Sequence, residues 1–77
     1  MYSISLHAAQ QAKAKGWTLE EVYAAANRPT VTYPNGRYEG QMRHIRNGIV
    51  AVCDPRQHKV VTVYANVERT PLRPDQR

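Results

Sequence analysis

The dipeptide Asn47-Gly48 separates two runs of strand-forming residues and restricts what this chain can fold into more than any other feature. Asn-Gly is the strongest short signal for a β-hairpin, because both residues of a type I′ turn adopt a positive φ. Such a turn makes Arg46 and Ile49 direct partners, and it therefore also pairs His44 with Ala51. The sequence thus predicts an antiparallel hairpin with a defined register.

Turn signals on both sides of this hairpin predict two more strands. Pro34-Asn35-Gly36 is typical of a turn between extended runs, and the residues from Pro55 to His58 supply a four-residue loop. We expect strands at about residues 30–33, 37–46, 49–54 and 59–67. The second half of the chain is therefore predicted to be a four-stranded antiparallel meander.

The residues before Pro29 have helical periodicity. An Ala-rich run over about residues 3–15 lacks Gly and Pro, and Gly16 after it is typical of a helix C-cap. Thr18 and Glu21 form a capping-box pattern for a second helix over about 19–26, and Pro29 prevents its continuation. The predicted fold is α+β: one domain over 1–67 with two N-terminal helices on one face of the sheet, and a basic extended tail over 68–77.

Side-chain alternation along the predicted strands assigns a set of residues to each face of the sheet. If Asp54 opposes Lys59, one face is strongly aliphatic and should be the one that the helices cover. This face is expected to hold Val31, Tyr33, Arg43, Ile45, Val50, Val52, Val61, Val63 and Ala65. The other face is expected to be open and to hold Met42, His44, Arg46, Ile49, Ala51, Cys53, Val60, Thr62, Tyr64 and Asn66.

Basic residues outnumber acidic ones by 11 to 6, and the whole excess follows Asn27. Eight of the 11 are Arg, whose planar guanidinium binds phosphate in a bidentate manner. A polyanionic partner is the natural interpretation, and RNA is the one we expect. The alternative is a solvated surface that only keeps a small protein soluble.

Four side chains of the expected open face suit metal-independent RNA cleavage. His44 and Tyr64 are the candidates for proton transfer, and Arg46 and Thr62 are candidates for holding phosphate oxygens. The alternative is that they are ordinary polar residues of a solvent-facing sheet. His7 on the first helix is a third catalytic candidate, and its alternative is a half-buried histidine that serves packing.

Further basic residues, Arg37, Arg43 and Lys59, are expected to extend a phosphate-binding track, with solvated surface charge as the alternative. The single Cys53 cannot form an intrachain disulfide, and no Cys/His cluster has metal-ligand spacing. We therefore expect no metal, no cofactor and a reducing, cytoplasmic setting. Neither a signal-peptide pattern nor an apolar run of membrane-spanning length occurs, so no membrane partner is expected.

Three short motifs are similar to those of a family of small bacterial and phage domains of unknown function. They are His7-Ala8 on the first helix, the run from Gly48 to Asp54, and Thr62-Val63-Tyr64 in the last strand. That family is grouped with RelE-like (barnase/EndoU/colicin/RelE-type) ribonuclease toxins. The resemblance covers about residues 4–66 and implies N-terminal helices on a four-stranded antiparallel sheet. It also implies a toxin-like ribonuclease role, with the helix histidine at His7 and the Thr-x-Tyr pair at Thr62 and Tyr64.

The function expected from the sequence is that of an RNA-directed, toxin-like, metal-independent endoribonuclease acting by general acid–base transesterification. One alternative is a nucleic-acid-binding module that does not cleave. Another is a phage or bacterial protein-interaction domain that inhibits a host protein through the edge strand near Tyr33. A ribosome or a protein inhibitor is a further candidate partner, and the chain is expected to be a monomer or a homodimer.

Overall fold

The computed structural model describes residues 1–35 and 40–66, which form two helices and a five-stranded sheet. The elements in chain order are β1 (Ser3–Ile4), α1 (Leu6–Ala14), α2 (Leu19–Asn27), β2 (Val31–Pro34), β3 (Met42–Arg46), β4 (Ile49–Asp54) and β5 (Lys59–Ala65). The strand order across the sheet is β1-β5-β4-β3-β2. The predicted α+β class is confirmed. Strands β2 to β5 form an antiparallel meander, but the sheet is five-stranded and mixed, not the predicted four-stranded antiparallel sheet.

A fifth strand, β1, replaces the start of the expected first helix and runs parallel to β5. Ser3 N donates to the His58 carbonyl at 2.9 Å, and Ser5 N donates to the Val60 carbonyl at 3.1 Å. Ser5 Oγ then accepts from Ala8 N at 3.1 Å and caps α1. The prediction that the helix begins near residue 3 was wrong, because a serine N-cap ends the strand and begins the helix three residues later.

The second helix begins and ends almost where the sequence predicts. Thr18 Oγ1 accepts from Glu21 N at 3.1 Å, and Glu21 Oε1 accepts from Thr18 N at 2.9 Å, so both halves of the capping box are present. At the other end, Asn27 Oδ1 accepts from Tyr2 N at 2.7 Å and attaches the N-terminal strand to α2. Each helix has nine residues. Within the described ranges, neither helix has the length and apolar character needed to span a membrane.

The central hairpin has the predicted register. Asn47 and Gly48 have φ values of 52° and 79°, as a type I′ turn requires. Arg46 pairs with Ile49, and His44 pairs with Ala51. Residues 37–39 of the expected second strand and the predicted tail over 68–77 lie outside the described residues.

A β-bulge in β5 changes the register expected for the last two strands. Asp54 pairs with Lys59, as predicted, but Val52 pairs with Thr62. Val61 is therefore the extra residue of the bulge, and one extra residue moves every later side chain of the strand to the opposite face.

The helices cover the face of the sheet that was predicted to be open. The strands contribute Ile49, Ala51, Cys53, Val60 and Val63 to the core formed with α1 and α2. The prediction that Val50 and Val52 face the helices was wrong, and the reason is size. The buried helix residues are mostly alanines, which bring the helix backbones close to the sheet, and the small side chains of Ala51 and Cys53 fit that separation.

Candidate nucleic-acid interface

The other face of the sheet carries neither of the described helices and presents eight side chains in two rows. Each row crosses β2, β3, β4 and β5, because directly opposed residues project to the same side. The first row is Val31, Ile45, Val50 and Tyr64, and the second row is Tyr33, Arg43, Val52 and Thr62. We refer to these eight residues as the open face.

Exposure is distributed unevenly over the open face. Val50 and Val52, on the central strand β4, are only 2% and 3% exposed although no described helix covers them. In contrast, Val31 and Tyr33 on the outer strand β2 are 42% and 49% exposed, and Tyr64 on β5 is 40% exposed. The apolar surface that solvent reaches on this face therefore lies toward its two sides and includes two aromatic rings.

Arg43 is the cation of the open face, and its side chain is partly held in position. The guanidinium carbon lies 5.9 Å from the centre of the Tyr33 ring, within the range of a cation–π contact. Arg43 Nη2 donates to the Pro34 carbonyl at 3.4 Å. Its Nε is buried and has no hydrogen-bond partner among the described residues. Because this Nε is buried, a ligand would have to reach the terminal Nη groups of the guanidinium.

One acidic residue lies near the end of this face, and its oxygens are occupied. Asp54 Oδ2 accepts from Gln57 Nε2 at 2.8 Å, and Asp54 Oδ1 accepts from Arg56 N at 3.0 Å. The hydrogen bond from the Gln57 side chain is the largest of the interactions that lower the pKa of Asp54, and they outweigh the opposing effect of burial. Arg56 Nε lies 3.9 Å from Asp54 Oδ1, and Lys59 is the residue paired with Asp54 in the β4–β5 ladder.

The structure separates the two residues predicted to transfer protons. His44 is 9% exposed and lies on the helix-covered face. Its Nδ1 is 2.7 Å from the Ala26 carbonyl oxygen and must donate, because a carbonyl only accepts. The imidazole also meets the edge of Tyr2, with ring centres 5.3 Å apart. Tyr64 lies on the open face, so the predicted grouping of His44 with Tyr64 was wrong.

The remaining predicted site residues fall into three groups. Arg43, Thr62 and Tyr64 share the open face. His7 is exposed on α1, and Arg46 lies at the end of the hairpin with Nη1 donating to the Arg28 carbonyl at 2.8 Å. The expectation that Arg43 projects to the helix side was wrong for the same reason as the inverted faces. Arg37 lies outside the described residues.

Tyr33 is the open-face residue that the sequence reasoning missed. A tight turn at Pro34-Asn35-Gly36 would pair Tyr33 with Arg37, but the structure pairs Tyr33 with Arg43. The face that carries Tyr33 was also assigned to the helices as a whole. The register of β2 and the choice of face therefore both hid this residue.

Other ionisable groups lie on the helix-covered side. Burial raises the pKa of the Cys53 thiol to about 12. Burial also raises the pKa of Tyr2, with smaller contributions from Cys53 and Asp54. In the ranges that the structure describes, no three His, Cys, Asp or Glu side chains gather closely enough to hold a metal ion.

No family model, curated protein or solved structure matches this chain. The functional argument therefore depends on the geometry of the open face and on the charge of the chain.

Proposed function

We propose that this protein binds single-stranded RNA on the open face, with Tyr33 and Tyr64 stacking on bases and Arg43 contacting a phosphate. Sequence-tolerant recognition of single strands commonly combines aromatic platforms with nearby cations. The observation that carries the proposal is the strand register, which gathers two exposed phenols and an incompletely paired guanidinium on one side of the sheet. Thr62, in the same row as Arg43, supplies a hydroxyl for further contacts.

The exposure pattern favours stacking over a large hydrophobic interface. A protein partner would gain stability mainly by burying aliphatic surface. The two central valines of the open face, Val50 and Val52, are already buried, so the exposed aliphatic surface of this face lies mainly at Val31 on the edge strand β2. The exposed rings of Tyr33 and Tyr64 offer flat surfaces that suit bases.

The distribution of charge supports an anionic ligand. The described residues include seven Lys or Arg and three Asp or Glu. Two of the acids, Glu20 and Glu21, lie in the first turn of α2, on the side of the sheet opposite the open face. The third acid, Asp54, already accepts two hydrogen bonds within its own turn. A phosphate chain on the open face would therefore meet little opposing charge.

Cleavage of the bound RNA, and with it a toxin role, stays a prediction from the sequence. His44 and Tyr64 lie on opposite faces of the sheet, so the binding proposal does not depend on proton transfer between them. An end-labelled RNA incubated with the protein in EDTA tests that prediction, because metal-independent cleavage would shorten the RNA whereas binding alone would leave it intact. If the protein cleaves RNA, and if the His44→Ala and His7→Ala variants both lose this cleavage, the histidines take part in catalysis. This result would contradict the view that the protein only binds RNA.

Fluorescence anisotropy with a labelled RNA tests the proposal. The RNA should have about eight nucleotides, a length within the range that small single-strand-binding domains occupy. The single strand is expected to bind at least about tenfold tighter than a duplex of the same sequence, because a duplex hides the base faces. Tyr33→Leu and Tyr64→Leu should each weaken binding by about tenfold or more, since base stacking contributes about 1–3 kcal/mol. Tyr23→Leu on α2 is the matched control and should bind like the parent.

A charge-matched pair of variants tests the role assigned to Arg43. Arg43→Gln should reduce the slope of log K against log salt by about 0.7, the value for one phosphate contact on a single strand. Lys13→Gln removes the same charge from α1, on the helix-covered side, and should leave the slope nearly unchanged. Equal slopes for the two variants, or tyrosine variants that bind like the parent, would overturn the proposal.

A further inference from the structure

A cavity of about 280 Å³ lies on the helix side of the sheet, away from the open face. Glu20 and Ala24 of α2 form one wall, and Arg46 and Ile49 at the end of the hairpin form another. Trp17, immediately before the capping box of α2, also lines the cavity. The volume is at the lower end of the range for small-molecule sites.

Opposite charges face this cavity without neutralising each other. Among the described residues, Glu20 makes no hydrogen bond or ion pair, whereas Glu21, which also lines the cavity, accepts a hydrogen bond from Thr18 N through one carboxylate oxygen. Arg46 Nη1 donates to the Arg28 carbonyl, which anchors the guanidinium. In the described ranges, no carboxylate lies within 4.0 Å of Arg46. The cavity therefore has an unpaired anion on the helix wall and an anchored cation on the sheet wall.

Apolar groups complete the lining of the cavity. Trp17 is half-buried and packs against the core, and Ile49 is a core residue of β4. Ala24 on α2 adds a small side chain that leaves space above it. A ligand with one charge at each end and an apolar middle would match this lining.

We propose that this cavity binds a bipolar ligand, an ammonium and a carboxylate joined by a short methylene chain. The ammonium would pair with Glu20 and the carboxylate with the free edge of the Arg46 guanidinium, which suits bidentate contact. The methylene chain would lie against Trp17 and Ile49. Both a free ω-amino acid and the C-terminal lysine of a protein chain have this chemistry.

Trp17 is the single tryptophan of the chain, so its fluorescence reports directly on the cavity. The probe is 6-aminohexanoate, and the controls are hexylamine and hexanoate, each of which lacks one of the two charges. We expect 6-aminohexanoate to saturate the fluorescence change at a concentration lower than that of either control by about tenfold or more. Each control lacks one charged hydrogen bond, and such a bond contributes about 1.5–3 kcal/mol. Equal responses to the three compounds, or no shift of the Trp17 indole N–H signal in NMR spectra, would overturn the proposal.

Two variants assign the ends of the ligand. Glu20→Gln and Arg46→Gln should each weaken binding of 6-aminohexanoate by about tenfold or more, and Lys13→Gln on α1 is the control that should bind like the parent. Circular dichroism checks that each variant is folded, and folded Glu20 and Arg46 variants that bind like the parent would contradict the proposal. A peptide that ends in lysine, compared with the same peptide amidated at its C-terminus, shows whether the site also accepts a protein chain end.

Discussion

His44 and Tyr64 lie on opposite faces of the same sheet, although a uniform register would put them on one face. The cause is Val61, the extra residue of the β5 bulge, which shifts the pairing of Val52 from residue 61 to Thr62. A single inserted residue therefore separates the imidazole from the phenol and brings Tyr64 to the same face as Arg43. The expected pair of proton-transfer residues, His44 and Tyr64, is therefore not formed, and Tyr64 instead joins Arg43 on the aromatic and cationic open face.

Replacing His44 should destabilise the fold without weakening RNA binding. His44→Ala removes the donor to the Ala26 carbonyl and the ring that meets Tyr2. We expect a loss of about 1–3 kcal/mol in the free energy of unfolding, the usual cost of a buried polar group left without its partner. Urea denaturation measures the loss, and anisotropy at a temperature where the variant is folded measures binding.

His7→Ala is the matched control for His44, because His7 is exposed on α1. We expect its free energy of unfolding to change by no more than about 0.5 kcal/mol, as is usual for surface substitutions. A His44→Ala variant as stable as His7→Ala would contradict the burial of the His44 ring beneath α2.

Two deletions of equal length test the bulge. Deleting Val61 removes the extra residue and preserves the pairs Val52–Thr62 and Ala51–Val63. Deleting Val63 instead moves Thr62 into the core position opposite Ala51. We expect the second deletion to lower the free energy of unfolding by about 1–3 kcal/mol more than the first, because it buries a hydroxyl among apolar side chains. Equal losses in urea denaturation would show that Val61 is not the extra residue.

Cys53 should be unreactive in the folded protein and should make its stability depend on alkaline pH. Burial raises the pKa of the Cys53 thiol to about 12, above the value of about 8.5 for an exposed thiol. The contribution of the neutral thiol to stability is therefore complete below about pH 8.5 and is lost as the pH rises toward 12. Relative to Cys53→Ala, the parent should lose stability between pH 8 and 10 in urea denaturation.

Alkylation gives an independent measure of the same cysteine. Iodoacetamide at pH 8 should modify Cys53 only at the rate of unfolding, because the reactive thiolate is disfavoured in the core. Modification of the folded protein at the rate of a free cysteine would contradict the burial of this thiol.

The elements and the local register of this fold were predictable because they depend on short-range chemistry. The turn at Asn47-Gly48, the capping box at Thr18 and the end of α2 before Pro29 each follow from a few adjacent residues. The strand β1 was not predictable in the same way, since Ser3 joins the sheet through a hydrogen bond to the distant His58 carbonyl.

The choice of face could not be made from hydrophobicity alone. Val50 and Val52 are more apolar than the Ala51 between them, yet the alanine faces the helices. Fit against alanine-rich helices decided which side of the sheet the helices cover. The bulge then exchanged Val63 with its neighbours Thr62 and Tyr64. Arg43 and Thr62, both predicted to bind phosphate, share a face with Tyr64, predicted to transfer protons, for reasons that the sequence reasoning did not anticipate.

The most direct test of RNA binding by the open face is an NMR titration of the isotope-labelled protein with a short single-stranded RNA. The predicted result is a set of saturable shifts at Tyr33, Tyr64 and the Arg43 Nε–H, with the Trp17 indole and the His7 amide unchanged. Shifts centred on α1, α2 and the end of the hairpin, with β2 and β5 unaffected, would contradict the account.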